Sequence, residues 1–106
     1  MNITFYDSTE EMLDALTEAM EAADSRVQDW QAKIKKGDCF WEETEYGFNI
    51  YGEVLEDAYH EEHLKYYRFC KCYSSACPEG ELGDTHVSSI SGILSREEFE
   101  EKIQAL

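Results

Sequence analysis

Seven apolar residues recur at alternating intervals of three and four: Leu13, Leu16, Met20, Ala23, Val27, Trp30 and Ile34. That rhythm is one face of an α-helix. From Asp38 onward the rhythm falls to two, the period of a half-buried strand. A chain that changes period in this way has to lay a helix against a sheet, which makes it an α+β domain. Ser8-Thr9-Glu10-Glu11 reads as a capping box opening the helix. Lys35-Lys36-Gly37 reads as its end, with cations at the negative pole of the dipole and glycine beyond the last turn. Unbroken, such a helix is roughly 40 Å long at about 1.5 Å per residue, which a domain of this size barely accommodates. A break is expected at Asp24-Ser25, both of them residues that favour caps.

The strands follow in order. Cys39-Phe40-Trp41-Glu42-Glu43 and Phe48 to Val54 form a hairpin across Glu45-Tyr46-Gly47. Residues 56–63 are an acidic loop. Leu64 to Tyr73, rich in tyrosine and phenylalanine, is a third strand. Residues 74–84 hold the only proline and two glycines and are expected to be a loop. Residues 85–90 make a short fourth strand, and residues 2–6 a strand or an ordered arm. Ser95-Arg96-Glu97-Glu98 is a second capping box, with Leu94 placed to staple Phe99. The expected architecture is a single domain over residues 1–106. A long N-terminal amphipathic helix packs on a three- to four-stranded antiparallel sheet, and a short C-terminal helix closes the chain.

Charge narrows the partner more than the chemistry. Twenty-four Asp and Glu against nine Lys and Arg leave a formal net charge of −15 on 106 residues. Such a field repels nucleic acid and anionic membranes and attracts cationic protein surfaces. Hydrophobic residues at 42% and aromatics at 13% are too many for a disordered acidic tail. The opening Met1-Asn-Ile-Thr-Phe-Tyr has no basic n-region and no apolar h-region, so a cytoplasmic protein with reduced thiols is expected.

Five arrangements invite a chemical reading. On the first helix Glu11, Asp14, Glu18 and Glu21 recur at three and four, nearly opposite the apolar stripe. They stand about 4.5 to 6 Å apart along the axis, close enough to phosphate spacing to imitate a nucleic-acid backbone. The other reading is a solvated helix face. Glu97, Glu98, Glu100 and Glu101 form a second acidic cluster. The thiols Cys39, Cys70, Cys72 and Cys77, with His60 and His63, lack the paired Cys-x₂₋₄-Cys spacing of a zinc site, and buried cysteine is the preferred reading. Cys77, His86 and Asp84 contain a Cys–His pair, but surrounding carboxylates disfavour a thiolate. Lys65 to Lys71 interleaves bases with aromatics, as single-strand-binding surfaces do, within a chain too acidic for that role. No phosphate-binding loop, dinucleotide fingerprint or serine elbow is present. No cofactor is implied, and no motif points to an enzyme.

The segment from Tyr73 to His86, containing Pro78-Glu79-Gly80-Glu81-Leu82-Gly83, followed by Leu94-Ser95 and Glu98-Phe99, resembles a pattern in small uncharacterised proteins of bacteriophages and prophages. There a Pro-x-Gly-Glu-x-Gly turn leads into a short strand and a closing helix. The likeness covers the last third of the chain and is structural, and it implies a mobile-element origin and no functional residue.

Taken together, these features lead to the expectation of a small acidic binding protein of phage type. It would be an inhibitor, DNA mimic or anti-CRISPR-like protein occupying a cationic, nucleic-acid-binding surface of a host protein, as a monomer or homodimer. The competing readings are a phage or bacterial accessory protein that self-associates through its helix and, behind it, a Cys/His metal-binding protein.

Overall fold

The computed structural model describes residues 9–57 and 64–106. The expected strand over 2–6, the Ser8 capping box, and His60 and His63 in the acidic loop lie outside the described residues. The chain runs α1 (Thr9–Asp24), α2 (Asp29–Ala32), β1 (Cys39–Glu43), β2 (Asn49–Glu56), β3 (Tyr67–Ser74), β4 (Cys77–His86), a 3₁₀ turn (Val87–Ser89), β5 (Gly92–Leu94) and α3 (Arg96–Gln104). The α+β class is as expected, with five strands rather than three or four. Their order is β4-β3-β2-β1-β5, and every neighbouring pair is antiparallel.

The largest departure in the sheet is β4. Residues 74–84, read as a loop from Pro78, Gly80 and Gly83, pair with β3 after a two-residue turn at 75–76. Because β4 is an edge strand, the missing N–H of Pro78 need not cost a ladder bond. Gly80 has φ +89°, and a Cβ there would stand 2.6 Å from Tyr73 Cε1, so the ring needs the glycine beneath it. The expected strand over 85–90 is the end of β4 and the 3₁₀ turn. The three-residue β5 carried no signal of its own.

Strand alternation assigns the two faces. Phe40, Val54 and Cys70 point one way and, with Ile34, Val87 and Ile90, form the buried core, with Val27 and Tyr66 packed against it. The Phe40 ring fits because Gly52 lies opposite it: a Cβ on Gly52 would come within 2.3 Å of Phe40 Cζ. Trp41, Tyr51 and Tyr73 point the other way and stand side by side across β1, β2 and β3. Helix α3 covers part of this second face. Its Phe99 is 5% exposed and meets Tyr73 edge-on at 6.0 Å, and its Arg96 reaches Glu53 at 2.8 Å. The Ser95–Glu98 capping box forms as expected.

The first helix breaks at the expected place, and the break changes its role. The apolar stripe does not pack on the sheet through α1, which buries none of its residues; Leu13 and Leu16 are each 55% exposed. Bends at Ser25 and Arg26 reset the phase, so the second half buries Gln31 and Ile34 and tucks Val27 against the core, while Trp30 stays 39% exposed. Gln31 donates to the Ser88 and Ile90 carbonyls, tying α2 to the 3₁₀ turn. Arg68 is buried, and among the described residues it forms no ion pair. Its guanidinium donates to the carbonyls of Ile34, Lys65, Tyr67 and Ala32, so one side chain joins β3 to the end of α2.

Candidate functional site

Helix α1 carries Glu10, Glu11, Asp14, Glu18, Glu21 and Asp24 and no Lys or Arg. Glu11, Asp14, Glu18 and Glu21 are all exposed. At about 100° per residue they project away from Met12, Leu13, Leu16 and Met20. Met12 is also exposed, at 41%. The helix is therefore amphipathic, with its polar and apolar faces both largely open to solvent. No residue of α1 is fully buried, and only Ala15, Met20, Ala23 and Asp24 are half-buried, so this sixteen-residue helix gains little tertiary support in water.

One contact fixes the end of α1. Asp24 Oδ1 lies 2.7 Å from His86 Nε2, and Ser88 Oγ lies 2.7 Å from His86 Nδ1. A carboxylate at the C-terminus of a helix opposes the dipole, so Asp24 needs a partner there. The Ser88 backbone N–H also donates to Nδ1, at 3.2 Å. Because that N–H can only donate, Nδ1 is an acceptor, and the neutral ring carries its proton on Nε2, facing Asp24. Carboxylate, imidazole and hydroxyl stand in a row, but His86 is the N-cap of the 3₁₀ turn and Ser88 is its capped residue. None of the three cavities described below is lined by His86 or Ser88. The array is a clasp between α1 and the end of β4.

The candidate Cys77–His86 pair, disfavoured on charge, does not form. Cys77 opens β4 and His86 closes it, so nine residues of extended strand, roughly 30 Å, separate them. Asp84 lies opposite Phe69 in the β3–β4 register, and the acid beside His86 is Asp24. Cys70 and Cys72 share one face of β3, but Cys39 and Cys77 do not join them. Cys39 and Cys70 are buried on opposite faces of the sheet, and Cys77 stands at the far end of β4. Burial pushes the Cys70 thiol up to about 12 and raises those of Cys39 and Cys72. Among the described residues no group of three or more His, Cys, Asp or Glu is placed to hold a metal.

The second acidic cluster sits on α3. Glu97, Glu98, Glu100 and Glu101 are exposed, and Glu98 accepts from the Ser95 amide in the cap. Lys65, Arg68 and Lys71 do not form one basic surface. Arg68 is internal, while Lys65 and Lys71 lie over the rings of Tyr66 and Tyr73.

Two cavities flank α3. One, about 310 Å³, lies between Tyr73 and Phe99 beside the Arg96–Glu53 pair. In that pair the Arg96 hydrogen bond holds the Glu53 carboxyl below the usual carboxylate range. The other, about 220 Å³, lies between Trp41, Tyr51 and Lys102. A third, about 230 Å³, runs along β4 beside Cys72, Glu81 and Asp84.

Three features were not legible in the chain. The Asp24–His86 contact joins positions 62 apart, Gln31 is polar yet buried, and the Trp41–Tyr51–Tyr73 row depends on register. The period of two did place each of those aromatics on one side of its own strand. No helix among the described residues is long and apolar enough to cross a membrane. Comparison of the chain with protein-family models, curated proteins and solved structures finds no match.

Proposed function

We propose that this protein is a non-enzymatic binding protein that docks α1 onto a basic protein surface bearing an apolar groove. The observation that carries the reading is the state of α1: six acids, no base, and Leu13 and Leu16 each 55% exposed. An amphipathic helix of this kind lays its apolar face into a groove, and the charge around it selects the rim. A second copy of the chain is a poor occupant, because it would bring two all-acidic helices together. A basic partner removes that repulsion and is drawn in by the net charge of −15.

A nucleic-acid-binding protein of a bacterial host has the required basic face, since it neutralises phosphates. Occupying that face makes the chain an inhibitor. The likeness of residues 73–99 to small phage and prophage proteins supports the same setting. The exposed leucines add to pure charge mimicry: the carboxylates of Glu11, Asp14, Glu18 and Glu21 steer the encounter, and the apolar stripe holds the complex.

The test compares two α1 variants in capture from host lysate. Reversing the four carboxylates to Lys should slow association and remove its salt dependence. Leu13→Asp with Leu16→Asp should speed dissociation. Reversal of Glu97, Glu98, Glu100 and Glu101 should leave capture intact. Loss of capture with the reversed α1 carboxylates but not with the leucine variant would make the protein a charge mimic alone. Capture unaffected by either α1 variant would end the proposal.

A further inference from the structure

We infer that the cavity between Trp41, Asn49, Tyr51, Leu94 and Lys102 is a binding site for a small planar aromatic carboxylate.

The cavity is built by register. Trp41 and Tyr51 are directly paired across β1 and β2, so both rings rise from the same face. Asn49 lies two residues before Tyr51 on that face, and Leu94 comes from β5, opposite Cys39. Opposite Trp41 stands Gly92. A Cβ on Gly92 would come within 2.4 Å of Trp41 Nε1, so the glycine lets the indole lie flat across β5. Lys102, from the last turn of α3, supplies the charged wall.

The lining is selective in its chemistry. It holds four side chains that donate hydrogen bonds (Lys102, Asn49, Trp41 and Tyr51) and no carboxylate, in a chain with twenty-four of them. Of the three cavities described it is the only one free of acids: the cavity beside Phe99 contains Glu53 and Glu100, and the one on β4 contains Glu81 and Asp84. Among the described residues Lys102 forms no ion pair, and the Trp41 indole N–H has no hydrogen-bond partner. Arg96, by contrast, is already taken by Glu53. Aromatic walls with convergent donors and one cation fit a flat ring carrying an acidic group: the ring meets Trp41 and Tyr51, and the carboxylate meets Lys102. At about 220 Å³ the space suits a single ring rather than a drug-sized ligand. Glu43, paired with Asn49 across β1 and β2, and Glu98, one turn before Lys102, are near without lining the cavity, so an anion there is held by contact with Lys102 and the neutral donors against their field.

The site can be read through Trp41 itself. The chain has two tryptophans, so Trp30→Phe leaves one indole N–H signal in a nitrogen–proton correlation spectrum. Benzoate is the probe and benzyl alcohol its uncharged match. The expected result is a saturable shift of the Trp41 signal with benzoate, with affinity lowered about tenfold or more by Lys102→Gln and a comparably weak response to benzyl alcohol. No saturable shift up to about 10 mM benzoate would overturn the inference. So would a titration that Lys102→Gln leaves unchanged, or benzyl alcohol binding as well as benzoate. Lys102 is exposed, so the glutamine variant should fold, and the dispersion of the remaining spectrum reports whether it does.

Discussion

Asp24 and His86 lie 62 positions apart in the chain and 2.7 Å apart in the fold, and their contact ties the end of α1 to the end of β4. Because no residue of α1 is fully buried, this bond governs the helix locally more than it governs the whole domain. Asp24→Ala should raise hydrogen exchange across residues 9–28 and leave β1 to β3 protected. Global stability should fall by about 1 kcal/mol, less than a fully buried charged hydrogen bond, since Asp24 is partly solvated. Equal deprotection of the sheet would show that the clasp supports the core.

Arg68 is the polar residue whose loss should cost most. Removing its guanidinium strands the buried carbonyl of Ile34 and the part-buried one of Ala32, and empties the apolar space its stem fills. Arg68→Leu should lower stability by about 3 kcal/mol or more in urea unfolding. Arg68→Lys should recover little, because one ammonium cannot span four carbonyls on two elements. A loss below about 1 kcal/mol for Arg68→Leu would mean that water satisfies those carbonyls without it.

Burial of the thiols should make the fold sensitive to alkali. Cys70 ionises near 9.0 in an ordinary setting and is pushed up to about 12 by burial. Between those values the unfolded chain holds fewer protons than the folded one, so stability falls as pH rises. Burial of Cys39 and Cys72 acts in the same direction. Stability should decline by about 1 kcal/mol or more from about pH 8 to about pH 10, and Cys70→Ala should flatten that slope. An identical slope in the variant would place the sensitivity elsewhere.

The helical stripe shows how far the chain could be read. Its period gave a helix and its caps gave the break at Asp24-Ser25, but a break resets the phase, and no periodicity crosses it. The stripe marks both Trp30 and Ile34 as core; the fold buries Ile34 but takes Gln31 in place of Trp30. Ile34→Ala should therefore cost about 2 to 4 kcal/mol and Trp30→Ala distinctly less, measured side by side in denaturant. The second failure has another cause. Pro78, Gly80 and Gly83 signal a loop wherever a strand needs two hydrogen-bonded edges, and β4 needs only one. The Ser95–Glu98 cap and the β1–β2 hairpin were legible because their signals are local. The Asp24–His86 clasp and the Trp41–Lys102 cavity were not, because each joins elements that only the sheet order brings together. The acidic positions were readable as exposed, and the open apolar face of α1 was not, since a stripe looks the same whether covered or bare.

The most direct measurement follows the amides of residues 9–24 in the labelled protein while a lysine- and leucine-rich amphipathic peptide is added. If α1 is a docking helix for a basic grooved surface, shifts should centre on Met12, Leu13, Leu16 and Met20, and exchange across α1 should slow as the helix is ordered by its partner. Leu13→Asp with Leu16→Asp should abolish both changes. Shifts centred on Glu97 to Glu101 of α3, or a response the leucine variant leaves intact, would contradict the role assigned to α1.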